Sequence, residues 1–182
     1  GGFAPAYFRD LPEGQLAAER DAIERFIAAG GTFVAAAGNA AFDNDNPDFT
    51  SFPASFNVPG IISVAATDNN DQLAGFSSFG AQTVDLAAAG VAVLTTQYGG
   101  GYQFINGTSF SSPMVAGAVG LLKTVKPNAS AVEIREALFN SVDPLPSLQG
   151  RVRSGGRLNV ARALEIIQID GPVVRFVDPG PV

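Results

Sequence analysis

The chain has 182 residues, a length that suits one domain able to bury a sizeable core. Hydrophobic residues make up 46% and charged residues 15%, which excludes a disordered tail; a net charge of −6 with no basic run argues against nucleic-acid binding. The absence of cysteine excludes disulfides and thiol catalysis, and no apolar run reaches the length of a membrane span.

In chain order, Gln15 to Ala29 reads as a first helix, with Leu16, Ile23, Phe26 and Ile27 on one side and Gly30-Gly31 as its stop. Thr32 to Ala37 and Ile61 to Thr67 are apolar runs without polar alternation, which predicts strands covered on both faces. Between them, Asp43-Asn44-Asp45-Asn46-Pro47-Asp48 alternates oxygen ligands as calcium sites do, yet lacks the glycine and late glutamate of the calcium-loop pattern; a solvated turn is the competing reading. Val84 to Ala88 and Val91 to Thr96 are shorter predicted strands, followed by a turn at Gly99-Gly100-Gly101. A helix is predicted to run to about Val125, before Pro127, with Pro113 in its first turn. Its segment Val115 to Leu122 carries no charge, which predicts burial all round. Ser130 caps a further helix with Glu133 in the capping-box position, and Asn159 to Ile167 forms the last helix. From about residue 170 the chain is rich in proline and glycine, so 170–182 reads as a linker or edge strand.

Two stretches carry chemistry. In Gly107-Thr108-Ser109-Phe110-Ser111-Ser112-Pro113 a serine sits behind a glycine at the mouth of a helix. There the unpaired N–H groups and the helix dipole favour developing negative charge, so Ser109 is a candidate nucleophile. A plain helix cap is the alternative. Some seventy residues earlier, Ala36-Ala37-Gly38-Asn39 ends a predicted strand. An asparagine amide there can donate to a carbonyl oxygen as it becomes an oxyanion, although Gly-Asn also suits an ordinary turn. The pairing of the two stretches is more specific than either alone.

Here the chain resembles the subtilisin-like serine peptidases (subtilases), from Gly1 to about Leu164. Besides the two stretches, Gly1-Gly2, Phe52-Pro53-Ala54, Ile61 through Asp68, Phe76-Ser77-Ser78-Phe79-Gly80, Val84 through Gly90 and Gly156-Arg157-Leu158-Asn159 match in the family's order. The resemblance implies an α/β fold, with residues 1–169 forming part of a subtilisin-like three-layer domain: a mostly parallel sheet with helices on both faces. It implies a serine endopeptidase working through an acyl-enzyme. Ser109 would be the nucleophile and Asn39 an oxyanion donor, while Gly1, Gly2, Ala37, Gly38, Ser51 and Asn106 would bind substrate. It also implies a cis bond between Phe52 and Pro53, with Ser51 at the base of a pocket without charge. No cofactor is required; structural calcium occurs in the family, including a backbone-carbonyl site that would lie near Ala54 and Phe56. The implied partner is a polypeptide substrate, with no role for nucleic acid or membrane, and the implied location is extracellular.

The departures bear on activity. The family uses Asp, His and Ser, and this chain has no histidine, so a Ser-His-Asp relay cannot be assembled from it. Phe110, Ser111 and Met114 stand where the family usually has Met, Ala and His, and Ala89 stands where it usually has proline. Two expectations follow. In the first, the chain is the C-terminal half of a longer peptidase, and the N-terminal half of the same domain is its missing partner. In the second, it is a non-catalytic, peptide-binding half. A serine–lysine pair is excluded because Lys123 lies fourteen residues along the same helix, about 21 Å away.

Overall fold

The computed structural model describes residues 13–168. Gly1, Gly2 and the segment 170–182 lie outside the described residues.

Strands β1 (Phe33–Ala36), β2 (Ile61–Thr67), β3 (Leu86–Ala89), β6 (Asp143–Pro144) and β7 (Gly156–Arg157) form one sheet in the order β1-β2-β3-β7-β6. All neighbours are parallel except β6 and β7. Phe33 pairs with Ile61, and Val64 pairs with Leu86, fixing the register at the centre. Strands β4 (Val93–Thr96) and β5 (Tyr102–Ile105) form a separate antiparallel hairpin. The helices are α1 (Glu13–Ala28), α2 (Thr108–Val125), α3 (Ala131–Ser141) and α4 (Val160–Ile167).

Side-chain alternation along β2 divides the core. Ile62 and Val64, with Leu86 and Ala88, pack against Val115, Ala118 and Leu122 of α2, Ile134 and Leu138 of α3, and Ala163 and Leu164 of α4. On the other face Ile61 joins Val58 and Ile23 of α1, while Ala65, Ala87 and Ala37 pack against Leu148 and Val152. Helices therefore lie on both faces of a mostly parallel sheet, as expected. The small residues of β2 and β3 let the layers approach closely.

Local chemistry sets the helix ends. Gly30, with φ of +92°, stops α1 by taking the left-handed conformation that a side chain disfavours. The Ser130 hydroxyl accepts from Glu133 N while the Glu133 carboxylate accepts from Ser130 N, completing the capping box. Asn159 caps α4 by accepting from Arg162 N at 3.0 Å.

Several expectations need correction. Strand β2 is buried along its whole length, but β1 is mostly half-buried, because among the described residues it has a neighbour on one side only. Helix α2 is not buried all round. Pro113, Met114, Ala116, Gly117, Gly120 and Leu121 are exposed, and no described element covers that face. Pro113 falls in the second turn rather than the first, so its missing N–H leaves the Ser109 carbonyl without its usual helical partner. Strand β5, four residues ahead of the nucleophile motif, was not predicted. The 43–48 loop is largely solvated, with Asp43, Asn46, Pro47 and Asp48 exposed, but it is also tied into the protein. Asn44 is buried, donating Nδ2 to the Ala37 carbonyl at 2.9 Å. The Asp45 carboxylate accepts from Gln82 N, Thr83 N and Thr83 Oγ1, and Asp43 Oδ1 accepts from Asp45 N. With these carboxylates committed to the protein, the loop does not offer calcium a free oxygen cage. No cluster of three acidic side chains occurs among the described residues.

Candidate active site

In open parallel sheets, ligands bind beyond the carboxyl ends of the strands. That is where the two motif stretches meet. Gly38-Asn39 leaves the end of β1, Gly90 leaves the end of β3, and Gly107 opens α2. Gly107 N donates to the Gly90 carbonyl at 2.8 Å, seating the start of α2 against the sheet. Gly90 has no room for a side chain, since a Cβ there would lie 2.4 Å from Ser111 Oγ and 2.6 Å from Ala66 Cβ. Ser111 Oγ in turn donates to the Ala89 carbonyl at 3.2 Å, linking two of the family departures.

Asn39 and Ser109 are joined through Thr108. Asn39 Oδ1 accepts from both Thr108 N and Thr108 Oγ1 at 2.9 Å, while Gly38 N donates to Thr108 Oγ1 at 3.3 Å. Thr108 is fully buried. With the amide oxygen turned toward the helix, the amide nitrogen points away from Thr108. The position a Cβ would take on Gly107 lies 3.6 Å from Asn39 Nδ2 and 3.7 Å from Ser109 N. Two donors thus flank one small space that any side chain at residue 107 would occupy. Ser109 N belongs to the first turn, where helical N–H groups have no partner within the helix.

The Ser109 side chain is exposed, and the helix cap is Gly107, with no side-chain cap bond. The capping reading of Ser109 therefore fails. Ser109 and Ser112 line a cavity of about 320 Å³ with Phe33 to Ala36 of β1 and with Ser51, Phe52 and Pro53. No charged side chain lines it. The Phe52–Pro53 bond is cis, as expected.

The other sequence-derived site residues divide. Ser51 lines the cavity. Ala37 does not: it is fully buried in the core with Val84 and Leu148, and the wall is formed by Phe33 to Ala36 before it. Gly38, with φ of +113°, backs onto Ser78 and Ser51, whose hydroxyls lie 3.1 and 3.3 Å from where its Cβ would be. The Asn106 side-chain Oδ1 accepts from Ala92 N at 2.7 Å, so that oxygen braces the hairpin base rather than facing the cavity. Gly1 and Gly2 lie outside the described residues. Thr108 and Ala36 were missed, because the sequence shows a motif but not which of its members reach across to the strand.

The cavity near Ala54 and Phe56 also contains Asp85, Arg135 and Arg153. Asp85 is bound by the Arg135 guanidinium and by Ser63 N. Two guanidiniums facing the space make it a poor fit for a cation.

An exposed serine at a helix start, with an asparagine amide locked beside it, thus lies beyond the carboxyl ends of a mostly parallel sheet. The sequence matches the Subtilase family over residues 9–162, and the chain belongs to that family. It is 40% identical over 124 residues to alkaline elastase YaB of Bacillus sp. (strain YaB), covering 68% of this chain and 31% of that protein. With thermitase of Thermoactinomyces vulgaris it shares 37% over 136 residues, covering 75% of this chain and 45% of thermitase. The fold resembles a protease of Pseudoalteromonas arctica PAMC 21717 with a TM-score of 0.72 and 28% identity, covering 81% of this chain and 46% of that one. The self-cleaved protease domain of PatA gives a TM-score of 0.67 at 28% identity, covering 84% of this chain and 56% of that one. The chain spans about a third to a half of the length of the first two relatives.

Proposed function

We propose that the complete protein is a subtilisin-like serine endopeptidase and that this segment supplies its nucleophile and oxyanion site. The observation that carries the reading is the pair of donors, Asn39 Nδ2 and Ser109 N, around the space beside Gly107. Ser109 Oγ attacks the scissile carbonyl carbon and gives its proton to a base. The carbonyl oxygen becomes an oxyanion between the two donors. Collapse expels the amine, which takes the proton back from the base, leaving an ester on Ser109 that water then hydrolyses. The uncharged cavity between β1 and Ser51 holds the side chain before the cut, and its lining favours large apolar groups because an unpaired ion there is costly. The substrate is a polypeptide.

The base and its orienting acid come from the rest of the domain, since the chain has no histidine. The one-sided β1 and the uncovered apolar face of α2 are the surfaces against which that remainder packs. Extracellular location follows from the family resemblance alone. No helix among the described residues is long and apolar enough to cross a membrane.

The missing histidine also favours a second reading, a peptide-binding half without chemistry. Hydrolysis of an unfolded protein by the complete gene product, abolished by Ser109→Ala with peptide binding retained, supports the enzyme. Peptide binding without hydrolysis supports the second reading.

A further inference from the structure

A second cavity, of about 490 Å³, lies at the other end of the sheet from Ser109. Its walls come from the start of β2 and the loop before it, the loop before β3, Arg135 of α3 and Arg153 in the turn before β7. These are the amino ends of the parallel strands, whereas Gly38-Asn39 and Gly90 leave the carboxyl ends. No residue of β1 or α2 contributes to the cavity, so neither surface left open for the remainder of the domain lines it.

The wall has two halves. One is apolar and includes Phe56, Val58 and Ile61. The other holds the only ionisable groups of the lining, Asp85, Arg135 and Arg153. Both oxygens of Asp85 are committed: Oδ1 accepts from the Arg135 guanidinium and Oδ2 from Ser63 N at 2.9 Å. Asp85 and Arg135 therefore neutralise one another. Arg153 is exposed, and no group among the described residues pairs with its guanidinium. Its backbone is nevertheless fixed, since Arg153 N donates to the Val84 carbonyl at 2.7 Å and Ser154 N to the Asp85 carbonyl at 2.9 Å. One positive charge without a counter-ion thus rims a half-apolar cavity, in a chain whose net charge is −6.

We propose that this cavity binds a small organic carboxylate with a branched aliphatic or aromatic body. A carboxylate meets the planar guanidinium of Arg153 through two parallel charge-assisted hydrogen bonds. The body of the ligand covers the apolar half of the wall and gains from leaving water. The volume lies within the range of about 300–1,000 Å³ typical of small-molecule sites, and a bare inorganic anion leaves most of it empty. A metal cation fits poorly, because the one carboxylate in the lining is already paired and Arg153 repels positive charge. The inference is independent of the peptidase reading of Ser109.

The test uses the complete protein carrying Ser109→Ala and isothermal titration calorimetry with N-acetylleucine, its neutral amide and acetate. N-acetylleucine should bind about tenfold more tightly than either the amide or acetate. Arg153→Gln should abolish the preference for the acid over the amide, and Arg153→Lys should keep part of it, since it retains the charge but not the fork. Without ligand both variants should melt with the parent, because Arg153 has no partner to lose, which separates lost binding from lost folding. Equal affinity for acid and amide overturns the proposal, and so does a preference that survives Arg153→Gln. Acetate binding as tightly as N-acetylleucine overturns the role of the apolar half. N-acetylleucine that a polypeptide displaces competitively lies in the cavity beside β1, which also overturns the proposal. Saturable binding of potassium or calcium without carboxylate binding assigns the cavity to a cation instead.

Discussion

Asn39 is held by its oxygen so that its nitrogen is free. Thr108 N and Oγ1 both donate to Asn39 Oδ1, fixing the amide before any substrate arrives. If Nδ2 stabilises the oxyanion, Asn39→Ala should lower kcat about 10²–10³-fold and leave KM nearly unchanged. That range is carried over from a subtilisin, a relative, rather than derived from this geometry. Near-normal kcat in Asn39→Ala would reduce the residue to a turn former. Thr108→Val should act through Asn39, since it keeps the backbone donor but removes the hydroxyl that aims the amide. A fall in kcat of about tenfold at constant KM is expected, with Thr108→Ser close to wild type. Equal changes in kcat and KM for Thr108→Val would indicate a general packing defect. At this scale Ser109 and Asn39 were legible as candidates because their residue types sit in recognisable motifs, and the structure joins them through Thr108. Thr108 was not, because its bonds join residues about seventy apart in the chain. Ala37 was read as a substrate-site residue from its motif, which does not show that it is fully buried with Val84 and Leu148.

Elements with their own local chemistry were the easiest to read. The capping box at Ser130 and Glu133 and the cap at Asn159 define helix starts through neighbouring residues alone. Glu133 titrates at about 2, chiefly because its carboxylate accepts from the Ser130 backbone N–H, aided by Lys126 and the Ser130 hydroxyl. A depressed carboxylate contributes stability above its unfolded pKa and loses it as pH falls through the folded value. The stability gap between wild type and Glu133→Gln should therefore be full above about pH 4.5 and shrink toward pH 2. Urea titrations across that range check it, and a gap that widens with acid would contradict the assigned box. Elements whose environment lies far off in sequence were harder. The uncharged run of α2 implied burial, yet one face is open, because apolar composition does not say whether the covering element belongs to the described residues. Strand β5 was missed because its four residues make a short run between the turn glycines and the nucleophile motif.

For the whole molecule, the strands were readable from apolar runs, while the mostly parallel sheet was implied by the family resemblance, and the structure agrees. The close of the sheet by β7 and β6 was not, since each has only two residues and is held by ion pairs. Arg157 reaches Asp71 and Asp143, and Arg162 reaches Asp143 as well. The Asn159 amide, with these guanidiniums, holds the Asp143 carboxyl below the usual carboxylate range, against the effect of burial. The proposed site offers a candidate nucleophile and candidate oxyanion donors in a chain without histidine. This 182-residue chain by itself should hydrolyse no peptide at an enzymatic rate. Steady cleavage of a chromogenic peptide by the purified chain, lost in Ser109→Ala, would refute that.

The central claim is that Ser109 is an activated nucleophile in the complete protein. Treating the complete gene product with a fluorophosphonate and mapping the adduct by mass spectrometry tests it directly. The account predicts one phosphonyl group on Ser109, with labelling slowed in Asn39→Ala because the phosphoryl oxygen needs the same donors. An unlabelled Ser109 in folded protein, or modification of another serine at equal rate, would contradict it.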